Sequence, residues 1–215
     1  MSPELAAQID AAPLSPGRPL IVVDADEVLV HFAPHLARWL AAQGWRLALR
    51  EYRLDGAIRH AGTGEPAGAE RIRALLDRFF AEETHRQEAI AGAAAGLAAL
   101  APRAQIVVLT NVPAHARAAR MRNLAGHGMA FPVIANTGGK GRALAELARR
   151  AAAPVAFIDD SPVQIVSARR HAPGVVRIHF TGSEYLRPVM PQVAEADHTA
   201  PDWPSLVALL ERGWG

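Results

Sequence analysis

The chain has 215 residues, half of them hydrophobic, with 20% charged residues and a formal net charge of +2. That is enough apolar material for one sizeable core, or a core with a small second module, and too apolar a balance for a disordered chain. The absence of cysteine excludes disulfides and thiolate chemistry, no apolar stretch approaches the ~20 residues of a membrane span, and no basic run interleaved with aromatics argues for nucleic acid.

The opening MSPELAAQIDAAPLSPGRP lacks the basic start and apolar block of a signal peptide, so a soluble, cytoplasmic protein is expected. Residues 1–18, rich in Ala and Pro, read as a loosely attached leader. An apolar run then predicts a buried strand at 19–24, ending in Asp24-Ala25-Asp26-Glu27. From 31 to 100 the pattern is mainly helical. Phe32, Leu36, Trp39 and Leu40 fall at helical spacing, a second helix covers 69–82 with Ile72, Leu75, Leu76 and Phe79 on one face, and an Ala-rich helix covers 86–100. Gly56, Gly62, Gly64, Pro66 and Gly68 mark a loop between them. Beyond 100, strands and helices alternate. Strands are predicted at 104–109, 132–135, 155–158 and 175–180, with helices at 113–125, after Lys140, and at 162–171. This alternation predicts an α/β fold with a doubly wound parallel sheet. The division expected is a leader at 1–18, a core from 19–30 and 101–215, and an inserted helical module at 31–100.

Asp24 and Asp26 sit two apart at a strand's end, where period-two alternation starts both side chains on roughly one side. Crowded carboxylates repel unless a cation, a proton or a shared reaction holds them, and ligands of open α/β sheets bind beyond the strands' carboxyl ends. Three further polar groups are placed at that edge: Thr110-Asn111, the loop leading to Lys140, and Asp159-Asp160. Lys140 is the single lysine among 23 basic residues, a compact ammonium kept at this position in a chain that otherwise uses arginine. The set suits phosphoryl transfer. Asp24, Asp26 and the 159–160 pair are candidate ligands for Mg²⁺, while Lys140 and the Thr110 hydroxyl are candidate phosphate binders, with Asn111 beside them.

The ordered motifs DADEVL, VVLTN, GGKG opening a helix, and FIDDSP resemble the haloacid dehalogenase superfamily. The resemblance covers about 19–30 and 100–180. It implies a three-layer Rossmann-like core with a small α-helical cap at 31–100. It also implies Asp24 as the nucleophile forming an aspartyl-phosphate, and Asp26 as general acid and base. Thr110 and Lys140 become phosphate binders, and Mg²⁺ is held by Asp24, the Asp26 carbonyl and Asp160, with Asp159 in support. Glu27 stands where many relatives have glycine, a departure at the turn itself.

The expected activity is that of a Mg²⁺-dependent phosphatase acting on a small soluble phosphomonoester, with no nucleic-acid or membrane partner. A phosphomutase or phosphotransferase, or a non-catalytic ligand-binding protein of the same fold, is the alternative. Glu27 and, from the insertion, His31, Arg46 and Arg50 are candidate substrate contacts, with Arg53, Arg59 and His60 nearby. GGKG is not a nucleotide loop, because the G-x-x-x-x-G-K-[ST] pattern needs glycine at Ile134 and Ser or Thr at Gly141.

Overall fold

The computed structural model describes residues 1–213. In chain order its elements begin with α1 (Pro3–Asp10), β1 (Leu20–Val23), α2 (Ala33–Ala42), β2 (Trp45–Leu47), β3 (Ile58–His60) and α3 (Ala69–Glu83). They continue with α4 (Ala93–Leu100), β4 (Gln105–Thr110), α5 (Arg117–Gly126), β5 (Val133–Ala135) and α6 (Gly141–Ala151). The last are β6 (Val155–Asp159), α7 (Pro162–His171), β7 (Val176–Phe180), β8 (His198–Ala200) and α8 (Trp203–Gly213).

Six strands form one sheet in the order β5-β4-β1-β6-β7-β8, every neighbouring pair parallel. The chain leaves β1 toward β4 and β5, then crosses back to β6, β7 and β8. Loops beyond the carboxyl ends therefore part around β1 and open a crevice. Helices cover both faces, so β1 is buried along its whole length and reads as an unbroken apolar run. Its alternation still sorts the layers. Leu20 and Val22 pack with Leu144, Leu147 and Ile165 of α6 and α7, while Ile21 and Val23 pack with Leu97, Leu124 and Leu206 of α4, α5 and α8. A separate apolar cluster joins α2, α3 and the β2–β3 hairpin around Leu36, Leu40, Ile58 and Phe79. Phe79 meets Phe32 edge-on at 5.5 Å there.

Four segments differ from the expectation. The supposed leader forms α1, started by Ser2, whose hydroxyl accepts the Leu5 N–H at 3.2 Å. Ile9 is fully buried against the sheet's α6 side and Arg150 pairs with Asp10, so this segment is docked rather than loose. Residues 45–60, read as part of a helical block, contain an antiparallel hairpin with Trp45 opposite His60. Trp45, Leu47 and Leu49 alternate with period two, the strand period. The helix expected at 86–100 begins only at Ala93, and it packs against α8 and the sheet. Its Gly96 permits this contact, since a Cβ there would lie 2.5 Å from the Trp203 ring. Finally, the region after 180, for which no element is predicted, supplies β8 and α8. No helix among the described residues is long and apolar enough to cross a membrane.

The insertion leaves and re-enters the core through two paired segments. His31 N–H donates to the Glu88 carbonyl, and Ile90 N–H to the Leu29 carbonyl, each at 2.9 Å. Trp203 braces this crossing from below, its indole N–H donating to the Val28 carbonyl at 2.8 Å. Trp203→Ala should cost about 3–5 kcal/mol, seen as a lowered urea midpoint at unchanged m-value. An unaltered midpoint would mean that α8 does not support the core.

Candidate active site

The site begins where β1 and β6 end side by side. Val23 pairs with Ile158, and the Asp24 N–H donates to the Ile158 carbonyl at 2.9 Å, which sets Asp24 beside Asp159. Leu20 and Val22 precede Asp24, and Val155 and Phe157 precede Asp159, all at alternate positions on the α6 face. Strand parity therefore turns both acids toward the start of α6. Gln164 of α7 accepts the Lys140 N–H at 2.8 Å, and Ser167 Oγ accepts the Gly141 N–H at 3.0 Å. A Cβ on Gly141 would lie 2.1 Å from the Ser167 carbonyl oxygen, so this close approach of α6 to α7 requires glycine. Lys140 Nζ then lies 2.7 Å from Asp24 Oδ1 and 2.7 Å from Asp159 Oδ2.

Lys140 is 1% exposed. Burial alone would lower its pKa, but the charges of Asp159 and Asp24 outweigh it and raise it. Asp159 is pushed up to about 7, chiefly by burial and against the pull of Lys140. Asp160 is raised well above its ordinary value by burial and by the charges of Asp159 and Asp24. Asp24, Asp159 and Asp160 can each present an oxygen within 4.8 Å of the others. Three buried carboxylates against one ammonium leave an excess of negative charge, which suits a divalent oxygen-binding cation. Both Asp159 oxygens are engaged, one by Lys140 and one by the Ser161 N–H at 2.9 Å. Asp160 accepts the Tyr52 hydroxyl of the insertion.

Asp26 belongs to a different arrangement. The fully buried Arg120 donates to its Oδ1 at 2.5 Å, with Gln87 Nε2 at 3.4 Å. Asn123 of α5 donates to the Gln87 carbonyl at 2.8 Å and steadies that segment. Burial raises the Asp26 pKa, and the Arg120 charge only partly offsets it. Glu27 adopts the left-handed backbone, φ 59°, the conformation that glycine takes without steric cost. Its Oε1 accepts the Phe32 and Ala33 amides at 2.8 and 2.6 Å, at the start of α2. Thr110 Oγ1 is buried with no hydrogen-bond partner. Asn111 donates to the Gly138 carbonyl at 2.9 Å and accepts from Asn136 at 2.8 Å.

A cavity of about 350 Å³ opens onto these groups, lined by Asp24, Asp26, Glu27, Asn111, Lys140 and Asp160. Thr110 is fully buried and does not line it. His31, Arg46 and Arg50 do not line it. Arg46 and Arg50 are exposed on and after β2, where Trp45 and Leu47 take the inward positions, and His31 faces another depression beside Tyr185 and Trp203. Residues the sequence reading did not single out are Tyr52, Gln87, Arg120 and Gln164. Arg120 gave no signal, being one arginine among many on a helix that reads as polar. Tyr52 lies in the irregular stretch between β2 and β3.

A six-stranded parallel sheet carrying these acids and lysine at its carboxyl edge has the haloacid dehalogenase-like fold. No protein-family model and no curated protein matches the chain. Among solved structures, a hydrolase of this family from Deinococcus radiodurans R1, with bound phosphate and sodium, aligns at 19% identity. The alignment covers 94% of this chain and 98% of that one, with a TM-score of 0.64. A haloacid dehalogenase-like family protein from Streptococcus pneumoniae aligns at 12% identity over 90% and 98%, TM-score 0.62. The L-2-haloacid dehalogenase of Xanthobacter autotrophicus aligns at 17% identity over 91% and 99%, TM-score 0.56.

The crowded acids carry a stability signature. Asp159 holds its proton more tightly folded than unfolded, against an ordinary value of 3.8. Its contribution is therefore full below about pH 4 and lost as pH rises through about 7. With a chelator present, Tm should fall between pH 5 and 8, and added Mg²⁺ should flatten that fall. A Tm independent of pH and of metal would contradict this electrostatic account.

Proposed function

We propose that the chain is a Mg²⁺-dependent phosphohydrolase that cleaves a small phosphomonoester through an aspartyl-phosphate. The observation that carries this reading is the single buried ammonium shared by Asp24 and Asp159, with Asp160 within ligand distance of both acids. Asp24 Oδ1 accepts from both Lys140 and the Ala25 N–H, each at 2.7 Å, which leaves Oδ2 for phosphorus. Attack by Asp24 forms the phosphorus–carboxylate bond while the bond to the ester oxygen breaks. Asp26 gives its proton to that oxygen. Its Oδ1 is held by Arg120 and Gln87, its Oδ2 is free to face the leaving group, and burial favours the protonated form it needs. In the second half, Asp26 takes a proton from water, which attacks the same phosphorus and restores Asp24. Lys140 and the unpartnered Thr110 hydroxyl supply positive charge and a donor for the phosphoryl oxygens. Asp24, Asp160 and the Asp26 carbonyl are assigned to Mg²⁺, with Asp159 in support. Bound there, the metal would screen the acids from the anionic substrate and act as a Lewis acid on a phosphoryl oxygen.

The insertion from 31 to the Ala89–Ile90 crossing acts as a cap that shields this chemistry from water. Haloacid dehalogenation, the activity named for one structural neighbour, expels a stable halide and has no use for a proton donor. The held position of Asp26 therefore favours the phosphatase reading.

Hydrolysis of 4-nitrophenyl phosphate with Mg²⁺ is expected, with loss of turnover on chelation and in Asp24→Asn. Metal-independent turnover, or turnover equal in both proteins, would refute the reading. Arg120→Met should lower kcat roughly 10²-fold or more, on the scale of a misplaced general acid, with a smaller change in KM. A drop in KM-limited rate alone would show that Arg120 serves binding rather than the placement of Asp26.

A further inference from the structure

Beyond the acids, the same cavity changes character. Its outer wall is built from Phe32, Leu49, Leu54, Leu76 and Phe80 of the insertion, together with Leu186 of the core. Phe32 and Phe80 stack at 5.7 Å. Leu76 and Phe80 are half-buried on α3, at the margin of the cap's own core, where Ile72, Leu75 and Phe79 are buried. They pack at the edge of that cluster, and the surface they leave uncovered lines the cavity.

Charge in this half of the cavity points the same way. Among the described residues lining it, the only cations are Lys140, already held by two carboxylates, and Arg53. Arg53 lies at the rim with its side chain 63% exposed, paired with Glu51 at 3.1 Å, so water and its partner screen it. Glu27 adds a carboxylate to the wall, which disfavours a second anion. The polar side chains Tyr52, Asn111 and Gln164 also line the cavity, but they are already engaged with Asp160, Gly138 and the Lys140 amide. A sugar or polyol would therefore leave most of its hydroxyls facing leucine and phenylalanine, a desolvation cost with little return. At about 350 Å³ the space is at the small end of ligand cavities.

We infer that the substrate is the phosphomonoester of an uncharged, apolar alcohol about the size of one ring, with no second anionic group. This rests on the phosphatase reading and names the leaving group that the cap accepts. The phosphate would meet Lys140 and the acids, and the organic group would lie against Phe32, Leu76 and Phe80.

The test compares kcat/KM, with Mg²⁺, for benzyl phosphate, glycerol 1-phosphate and ribose 5-phosphate. All are esters of primary alcohols, so leaving-group basicity differs little. Benzyl phosphate should be favoured by roughly ten- to a hundredfold. Leu76→Asn should lower that ratio, and Leu76→Met should keep it. Equal or reversed selectivity, with turnover that still needs Mg²⁺ and Asp24, would overturn this inference and leave the phosphatase reading standing. Absence of turnover on every ester, in wild type as in Asp24→Asn, would overturn the phosphatase reading and this inference with it.

Discussion

Lys140 carries its charge into a space that is 1% open to solvent, and Asp24 and Asp159 meet it at 2.7 Å each. A buried ammonium is tolerable only when so paired, and removing one partner of such a contact typically costs about 3–5 kcal/mol. The pairing constrains much of the core. It needs β1 and β6 adjacent and in register, so that two acids at strand ends of the same parity lie together. It also needs α6 to start close against α7, which Gly141 and Ser167 arrange. Asp160 then joins a charge cluster whose self-repulsion opposes folding, as the raised pKa values of Asp159 and Asp160 express. The apolar layers on both faces of the sheet must offset that cost.

The parts of this arrangement legible in the sequence are those where one physical signal dominates. Strands β1, β4 and β6 are covered on both faces, so they read as short apolar runs, and each run stops where the sheet edge meets solvent and chemistry. Pro162 and the apolar spacing after it mark α7 equally well. The β2–β3 hairpin was lost because each strand has three residues, too few for period two to stand out from the helical pattern around it. Helix α8 carried a readable signal in Asp202, Pro204, Leu206 and Leu210, with Asp202 accepting the Ser205 N–H at 2.7 Å. It was obscured by the irregular stretch before it. Arg120 and Tyr52 were not legible at all. A helix arginine is ordinarily solvated, and only the tertiary placement of α5 against Gln87 and Asp26 turns this one inward.

Glu27 shows how a local conflict can serve a connection. A non-glycine residue in the left-handed region costs on the order of 1 kcal/mol or more, and glycine would remove that strain. Glycine would also leave the Phe32 and Ala33 amides without an acceptor at the start of α2, where no other side chain caps the helix. The carboxylate therefore ties the turn that carries Asp24 and Asp26 to the first helix of the insertion. This tie lies beside the two paired crossings at His31–Glu88 and Leu29–Ile90. The position of the insertion is thereby linked to the same few residues that shape the acid loop.

In the proposed reading, chemistry and selectivity consequently reside on different elements. The acids and Lys140 are anchored by sheet register and by α6–α7 packing, which tolerate little change. The opposite wall comes from α3 and from the segment between β2 and β3, whose residues Leu49, Tyr52 and Leu54 reach the cavity while Arg46 and Arg50 stay outside. Leu49 and Leu54 touch none of the buried charges, so substitutions there alter the wall and leave the acids in place. Tyr52 is the exception. Its hydroxyl donates to Asp160, so within this segment it is the residue through which a substitution would reach the acid cluster.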